Sequence, residues 1–539
     1  MKWQTKAELV RLLDQLVSFK SVTGSEDEIA IVDYIYQLLQ ERDYFNEHPD
    51  HLRRRPIEDG RQFLTALVKK PEVKQTIILV SHIDVVDVDD YGSLKPSAFR
   101  VKELTEEFVK DFSNLPEEIK RDLKTGEWLF GRGTMDMKAG TALQLSMLEK
   151  AMNGEWDGNI LQLVVPDEEA NSIGMIEAVE ELKKIQAEYD LDYKLCLNCE
   201  PMFRQYPGDE QTYFYTGSLG KLLPGFFCYG KETHVGEPFH GLNANLITSY
   251  LNEHLELNEL FIEEVENQIT PPPVSLMNRD LKDQYSVQTP LTAVSMYNVF
   301  YMEQTIDDIR KKLFDVMNKT KSHVEQHMRE KASIFYKDEY QLDESTYTIS
   351  VMDYDMLYEA AVERHGAEEV QRRQRLLIHD RSGGDRDFST VLTQDLAYLC
   401  KDLAPMIVLF FSPPFYPAVT SQHHSMIKNI LNDVSDYTEK EHERSPEVLS
   451  YFSGLSDLSF VGESNQTSDQ IQSLTENMPL EKAGLANMVI KGDRLIVPTL
   501  NIGPYGKDAH QWTERLEINY SFEQLPKILE RTIKTTFKE

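Results

Sequence analysis

Apolar positions recur at helical spacing over residues 7–19, where Leu9, Leu12, Leu13, Leu16 and Val17 fall on one face. Ser25-Glu26-Asp27-Glu28 has the form of a capping box that opens a second helix running through Leu39. The period then shortens. Residues 63–68 and 76–80 are short apolar runs that read as strands, and the second leads straight into Ser81-His82-Ile83-Asp84. A glycine-rich turn feeds a helix over 139–152. A strand over 160–165, a helix over 174–187 and a strand over 193–197 follow. Strands alternating with helices predict an α/β fold: a mixed, mostly parallel sheet with helices on both faces.

The pattern changes after Thr216. An aromatic and apolar stretch over 217–229 precedes a helix over 242–256, a strand over 291–301, a long charged helix over 305–331 and a strand over 347–351. Pro271-Pro272-Pro273 sits in a connecting loop. This order suits a small α+β domain inserted in a larger one, with 216–351 as the insert and 1–215 plus 352–539 as the main domain. Beyond 352 helix–strand alternation returns, with a strand at 407–411. Residues 439–485 are polar and Ser/Glu-rich and read as loop or insertion. A last strand is expected over 495–502, and a closing helix over 521–537.

The formal net charge of −33 over 539 residues repels nucleic acid and anionic lipid, so neither is an expected partner. Four cysteines exclude a disulfide scaffold. Cys196 and Cys199 form a C-x-x-C with no second pair, and read as core thiols on a strand. No apolar run is long enough to span a bilayer and none follows Met1-Lys2-Trp3-Gln4 as a signal peptide would, which predicts a cytoplasmic protein. No G-x-S-x-G elbow supports a serine hydrolase.

Strand period 2 puts His82 and Asp84 on one face at a strand's C-terminal end, where open α/β sheets place their sites. Imidazole is a good zinc ligand, and a neighbouring carboxylate fixes its tautomer. In Gly131-Arg132-Gly133-Thr134-Met135-Asp136-Met137-Lys138-Ala139-Gly140 the glycines permit a tight turn, and a carboxylate at Asp136 can bridge two cations. Asp167-Glu168-Glu169 ends the next strand. Adjacent carboxylates there repel unless cations compensate, and they can divide the work between metal binding and proton transfer. Glu200 in Asn198-Cys199-Glu200-Pro201 is a third acidic strand end. His510 follows Gly503-Pro504-Tyr505-Gly506, with Glu514 four residues on. Each candidate is expected in a loop after an apolar strand. Nitrogen and oxygen donors without thiolate suit zinc, cobalt or manganese.

At these residues the sequence resembles the M20 family of metallopeptidases, which includes aminoacylases, desuccinylases and glutamate carboxypeptidases. The length and the C-terminal wording are similar to its bacterial arginine-utilisation branch. The resemblance implies a zinc-peptidase-like fold with a lid domain that also serves dimerisation. It implies two divalent metal ions, with zinc expected first: His82 and Glu200 at one, Glu169 and His510 at the other, and Asp136 bridging. It makes Asp84 the residue that orients His82, and Glu168 the general base. Lys231-Glu232-Thr233-His234 resembles the lid motif, in which His234, rather than His240, reaches the partner subunit's site in a homodimer. Asn298 resembles a substrate-binding position. Ser382-Gly383-Gly384-Asp385 and Ser453-Gly454-Leu455-Ser456-Asp457 compete for one family segment, so Asp385 and Asp457 are both substrate-binding candidates. His423 and His424 rival His510, which is preferred for its Gly-Pro-x-Gly context. The implied activity is hydrolysis of an amide bond in an N-acyl amino acid or short peptide. The competing reading is a non-catalytic relative that binds a ligand or partner.

Overall fold

The computed structural model describes residues 1–337, 344–485 and 494–539. The chain divides into two compact units. The first is Met1–Leu219, Val419–Ser464 and Ile490–Glu539, and the second is Gly220–Ala418 and Asn465–Val489. Residues 338–343 of the expected insert, and 486–493 of the expected main domain, lie outside the described residues.

The first unit is built on eight strands: β1 (Leu52–Pro56), β2 (Gln62–Val68), β3 (Gln75–His82), β4 (Asn159–Val165), β5 (Asp192–Asn198), β6 (Tyr213–Tyr215), β7 (Glu447–Leu449) and β8 (Thr499–Asn501), in the order β1-β2-β4-β3-β5-β8-β6-β7. The central run β4-β3-β5-β8 is parallel. β1 and β2 add antiparallel strands at one edge. This is the mixed, mostly parallel sheet expected. Every residue of β4 is buried, which requires cover on both faces. Gln162 donates from Nε2 to Gln144 at 2.8 Å, on the helix Lys138–Met152. Its neighbours Leu161 and Leu163 point the opposite way, to the side of the sheet where Ile173–Tyr189 packs. Lys6–Ser18 and Leu525–Thr536 pack on Lys138–Met152. In register, His82 stands opposite Val165, and Val80 opposite Asn198. The ends of β3, β4 and β5 are therefore nearly level, and the loops that follow them emerge side by side.

Local expectations are met for most of these elements, with informative exceptions. Ser25 does not cap the second helix. The helix spans Asp27–Gln40, and the Glu28 carboxylate turns inward to Arg61 at 2.9 Å. The strand expected over 495–502 shrinks to Thr499–Asn501, and it is not the last. Gly506–Lys507 and Arg515–Glu517 follow and join Trp128–Phe130 in a separate three-stranded antiparallel sheet. The stretch 439–485 is not simply loop. The helix Ser425–His442 ends in it, Ser468–Glu476 is helical, and the turn Asp457–Phe460 is buried throughout. A single helical turn is too short to leave a periodic signal in the sequence.

The second unit has a five-stranded sheet ordered Val274–Asp280, Thr292–Tyr301, Gly220–Tyr229, Met406–Tyr416, Ser350–Asp353. It is antiparallel except for the last pair. The unit reaches well past the expected limit at 351, because Met406–Tyr416 lies in the middle of this sheet. Leu357, Leu396, Met406, Val408 and Phe410 share a core with Phe227, Val294 and Met296. The strand expected at 407–411 thus belongs to this unit, with the helices Tyr354–His365 and Asp385–Leu399 that cover it.

Candidate metal centre

The strand β3 delivers His82 with its ring 99% buried. Its Nδ1 faces the Asp84 carbonyl oxygen at 3.1 Å, and the Asp84 carboxylate at 3.5 Å. The tautomer is therefore fixed by backbone as well as by side chain. The Asp84 carboxylate has a further task. It accepts the backbone N–H of Glu168 and of Glu169, both at 3.1 Å, and the Thr23 hydroxyl at 2.9 Å. One buried carboxylate thus ties the end of β3 to the loop after β4. Burial works against its charge, but these donors and His82 hold its proton affinity below the usual carboxylate range.

His82 Nε2 stands 3.4 Å from Asp136 Oδ1, 3.6 Å from Glu200 Oε1 and 3.9 Å from Glu168 Oε2. On the other side of Asp136, Oδ2 lies 3.2 Å from His510 Nε2, which is 3.0 Å from Glu169 Oε1. Two trios follow, His82–Asp136–Glu200 and Asp136–Glu169–His510, each with ligand atoms mutually within 4.8 Å. A third grouping joins His82 to Glu168 and Glu169. Asp136 belongs to both trios, one oxygen turned to each.

The origins of these side chains differ from the strand-end rule. Glu168, Glu169 and Glu200 do follow β4 and β5. Asp136 and His510 instead lie in loops bounded by the small three-stranded sheet, His510 between its paired strands Gly506–Lys507 and Arg515–Glu517. His510 has φ 63°, a left-handed conformation uncommon outside glycine. Its side chain is 46% exposed, whereas His82 is enclosed.

The donor set fits divalent cations. His82 Nε2 and Glu200 Oε1 are buried with no hydrogen-bond partner, an arrangement that costs free energy unless a cation satisfies both. Proton affinities carry the same imprint. Burial alone would lower His82, yet Glu200, Asp136 and Asp84 push it well above the usual imidazole range. His510 is held up at about 11 by Asp136 and Glu169, against burial. Asp136 is driven well below the ordinary range by the two histidines, again against burial. Glu200 is pushed up to about 7 by burial, with His82 opposing. Burial also lifts Glu168 well above the usual range, opposed by His82 and reinforced by Glu200 and Glu169. Carboxylates and imidazoles packed this closely lack only the positive charge that cations provide.

Sequence reasoning named Glu514, Arg132, Asp167 and Glu28 within their motifs but not the bracing they provide, and it did not single out Arg61. Glu514 pairs with the buried Arg132 at 2.9 Å and accepts the N–H of Met135 at 3.2 Å and of Asp136 at 3.4 Å. Arg61 bridges Glu28 at 2.9 Å and Asp167 at 2.7 Å, and Glu28 accepts the N–H of Asp167 at 3.1 Å. Asp167 has φ 75°, so this buried pair braces a left-handed residue next to Glu168. The motif glycines mark 131–140, but nothing local in the sequence pairs Glu28 with Arg61. The two are 33 residues apart, and Asp167, which both hold, lies more than a hundred residues beyond Arg61.

The remaining candidates divide between the units. Asp457 is 98% buried in the first unit. It adds to the raised proton affinity of Glu168, and burial pushes its own carboxyl up to about 8, with His82 opposing and Glu200 and Asp84 reinforcing. Asp385 lies in the second unit at the start of the helix Asp385–Leu399, paired with Arg381. Of the two competing segments, 453–457 is therefore the one in the unit that carries the metal centre. Asn298 sits on the strand Thr292–Tyr301 of the second unit. His234 is exposed in the same unit and accepts the Gly236 N–H at 3.0 Å. His423 and His424 are exposed ahead of the helix Ser425–His442 and join none of the trios. The four cysteines are free and buried. Among the described residues no helix is long and apolar enough to cross a membrane.

The chain also matches known proteins. The profile of Peptidase family M20/M25/M40 matches residues 78–535. Uncharacterized protein YqjN of Bacillus subtilis is 48% identical over 541 residues, covering 100% of this chain and 98% of its own length. Protein RocB of the same organism is 30% identical, covering 98% of this chain and 94% of its own. Among solved structures, the M20 family metallo-carboxypeptidase Sso-CP2 from Sulfolobus solfataricus covers 98% of this chain and 99% of its own, with a TM-score of 0.54 at 11% identity, a likeness of fold.

Proposed function

This chain belongs to peptidase family M20/M25/M40 and is a metallohydrolase, and from that premise we propose that it cleaves an amide bond in a short peptide or N-acyl amino acid using two divalent cations. Zinc is the first expectation, with cobalt and manganese as alternatives. The observation that carries the reading is the pair of ligand trios sharing Asp136, with Glu168 alongside both. Cations bound there would acidify water and polarise the scissile carbonyl.

The protein's own groups do the rest. His82, Asp136 and Glu200 would hold one cation, and Asp136, Glu169 and His510 the other. Asp84 fixes His82 and the N–H groups of the 168–169 segment, so the base sits on a braced loop. Glu168 takes a proton from the attacking water and delivers it to the leaving nitrogen. Its high proton affinity suits the second half of that task. We assign His234 to the stabilisation of the developing oxyanion across a homodimer formed through the second unit. Asn298, Asp385 and Asp457 are the proposed substrate contacts. An arginine-derived amide is the first substrate to test, supported by the resemblance to the arginine-utilisation branch. We place the reaction in the cytoplasm, where free thiols stay reduced.

Elemental analysis of protein purified without chelator and then dialysed against zinc tests the reading, with about two metals per chain expected. Glu168→Gln should keep both and lose on the order of 10²–10⁴-fold in kcat. Absence of stoichiometric metal, or full turnover by the variant, would overturn it.

A further inference from the structure

We infer that Asp457 is a specificity-determining residue that binds a cationic group of the substrate, and that the preferred substrates carry a free ammonium beside the scissile amide, as the first residue of a peptide does. This rests on the hydrolase reading above and narrows its substrate class.

The position of Asp457 is set from two sides. Asn198, the last residue of β5 and two before Glu200, donates from Nδ2 to Ser456 Oγ at 2.9 Å. That oxygen also accepts the Leu458 N–H at 3.2 Å, which caps the turn Asp457–Phe460. From the other side the Ser172 hydroxyl bonds to the Asp457 carboxylate. Ser172 closes the loop that carries Glu168 and Glu169, its N–H bonded to the Asp167 carbonyl at 2.7 Å. Asp457 is thus pinned between the segment bearing Glu200 and the loop bearing the base.

One of its oxygens is left over. Asp457 Oδ1 is buried with no partner. A buried unpartnered carboxylate oxygen is among the costliest groups a fold can retain. Of the charges that bear most on this carboxylate, Glu200 and Asp84 are negative and only His82 is positive. His82 is already committed to the metal trio. The free oxygen calls for a compact group with donor hydrogens arriving with the substrate, and the neighbouring carboxyls of Glu200 and Asp84 favour a cation in that place. An ammonium meets that description. A neutral acetyl group leaves the oxygen unpaired, and a succinyl group brings a further carboxylate.

The test compares glycyl-leucine with N-acetyl-leucine and N-succinyl-leucine, the first two differing by the ammonium alone. Binding is measured by calorimetry on zinc-loaded Glu168→Gln protein, in which turnover is suppressed. Turnover is followed separately on the unaltered protein. Glycyl-leucine is expected to bind about ten- to a hundredfold tighter than N-acetyl-leucine, the scale of a charged hydrogen bond. N-succinyl-leucine should bind most weakly. Adding Asp457→Asn should bring the first two to within about threefold while metal content stays the same. Equal affinities before that change, or a preference that survives it, overturn this inference even where metal is bound and amides are cleaved. Absence of bound metal and of any turnover would instead sink the hydrolase reading beneath it.

Discussion

Each residue of the two trios has a proton inventory that its neighbours set, and the consequences can be measured. Without cations burial pushes Glu200 up to about 7 against the pull of His82, and Asp136 and Glu169 hold His510 up at about 11 against burial. A cation needs both in their deprotonated forms. Metal binding at pH 7 should therefore release protons, and apparent affinity should rise between about pH 6 and 8. Calorimetry in two buffers of different ionisation enthalpy counts the protons, and a count of zero would contradict this account. Folding carries the same signature. Glu200 and Glu28 are both raised from an ordinary 4.5 to about 7, chiefly by burial. Between those values the folded chain holds protons that the unfolded chain has lost, so stability falls as pH rises through that window. The Tm of metal-free protein should drop from about pH 5 to about pH 7, and saturating zinc should flatten the slope. A metal-free Tm that rises over that range would refute the assignment.

Between elements, the centre depends on close backbone approach. Gly140, on the helix Lys138–Met152, lies so near the Glu200 segment that a Cβ there would meet the Cys199 carbonyl oxygen at 2.4 Å. Backbone on one side and a packed helix on the other cannot yield cheaply. Gly140→Ala should therefore destabilise by about 1–3 kcal/mol, read from urea unfolding, despite alanine's better helix propensity. A neutral or stabilising result would mean that helix and strand end separate more readily than this packing allows. The last glycine of the 131–140 motif thus has a packing reason alongside the turn-forming reason of the first ones. The motif was legible from sequence, but the partner of Gly140 was not, because Cys199 is fifty-nine residues away. The same holds for the turn Asp457–Phe460, which is locked by Asn198 and Ser172 while its own sequence reads as polar loop.

The whole molecule carries 90 acidic and 57 basic residues, a net charge of −33. Many acidic groups are paired locally, as in Arg53–Glu188 at 2.6 Å and Arg364–Asp402 at 2.9 Å, but the excess repels itself at longer range. Added salt shortens the screening length from about 30 Å at 0.01 M to about 8 Å at 0.15 M. Tm by scanning calorimetry should rise across that range at fixed pH and metal. A fall would mean that specific ion pairs outweigh the net repulsion.

What the sequence determined by itself was local. Strands and helices of the first unit followed from apolar periodicity. The candidate ligands followed from motifs in which chemistry and turn geometry sit within about ten residues of each other, as in 131–140 and 167–169. Burial of β4 on both faces was implied by apolar residues at both strand phases, Ile160 and Val164 on one and Leu161, Leu163 and Val165 on the other, around the single polar Gln162. Tertiary structure decided what depends on distant pairing. It placed Met406–Tyr416 between Gly220–Tyr229 and Ser350–Asp353, which moved residues 352–418 into the second unit. It put 453–457, and not 382–385, in the unit of the metal centre. It also supplied Glu28, Arg61 and Glu514 as braces. The reason is physical. Periodicity records which face of an element is buried, while register and charge pairing between remote segments arise only when the chain closes on itself, with no pattern in either segment alone.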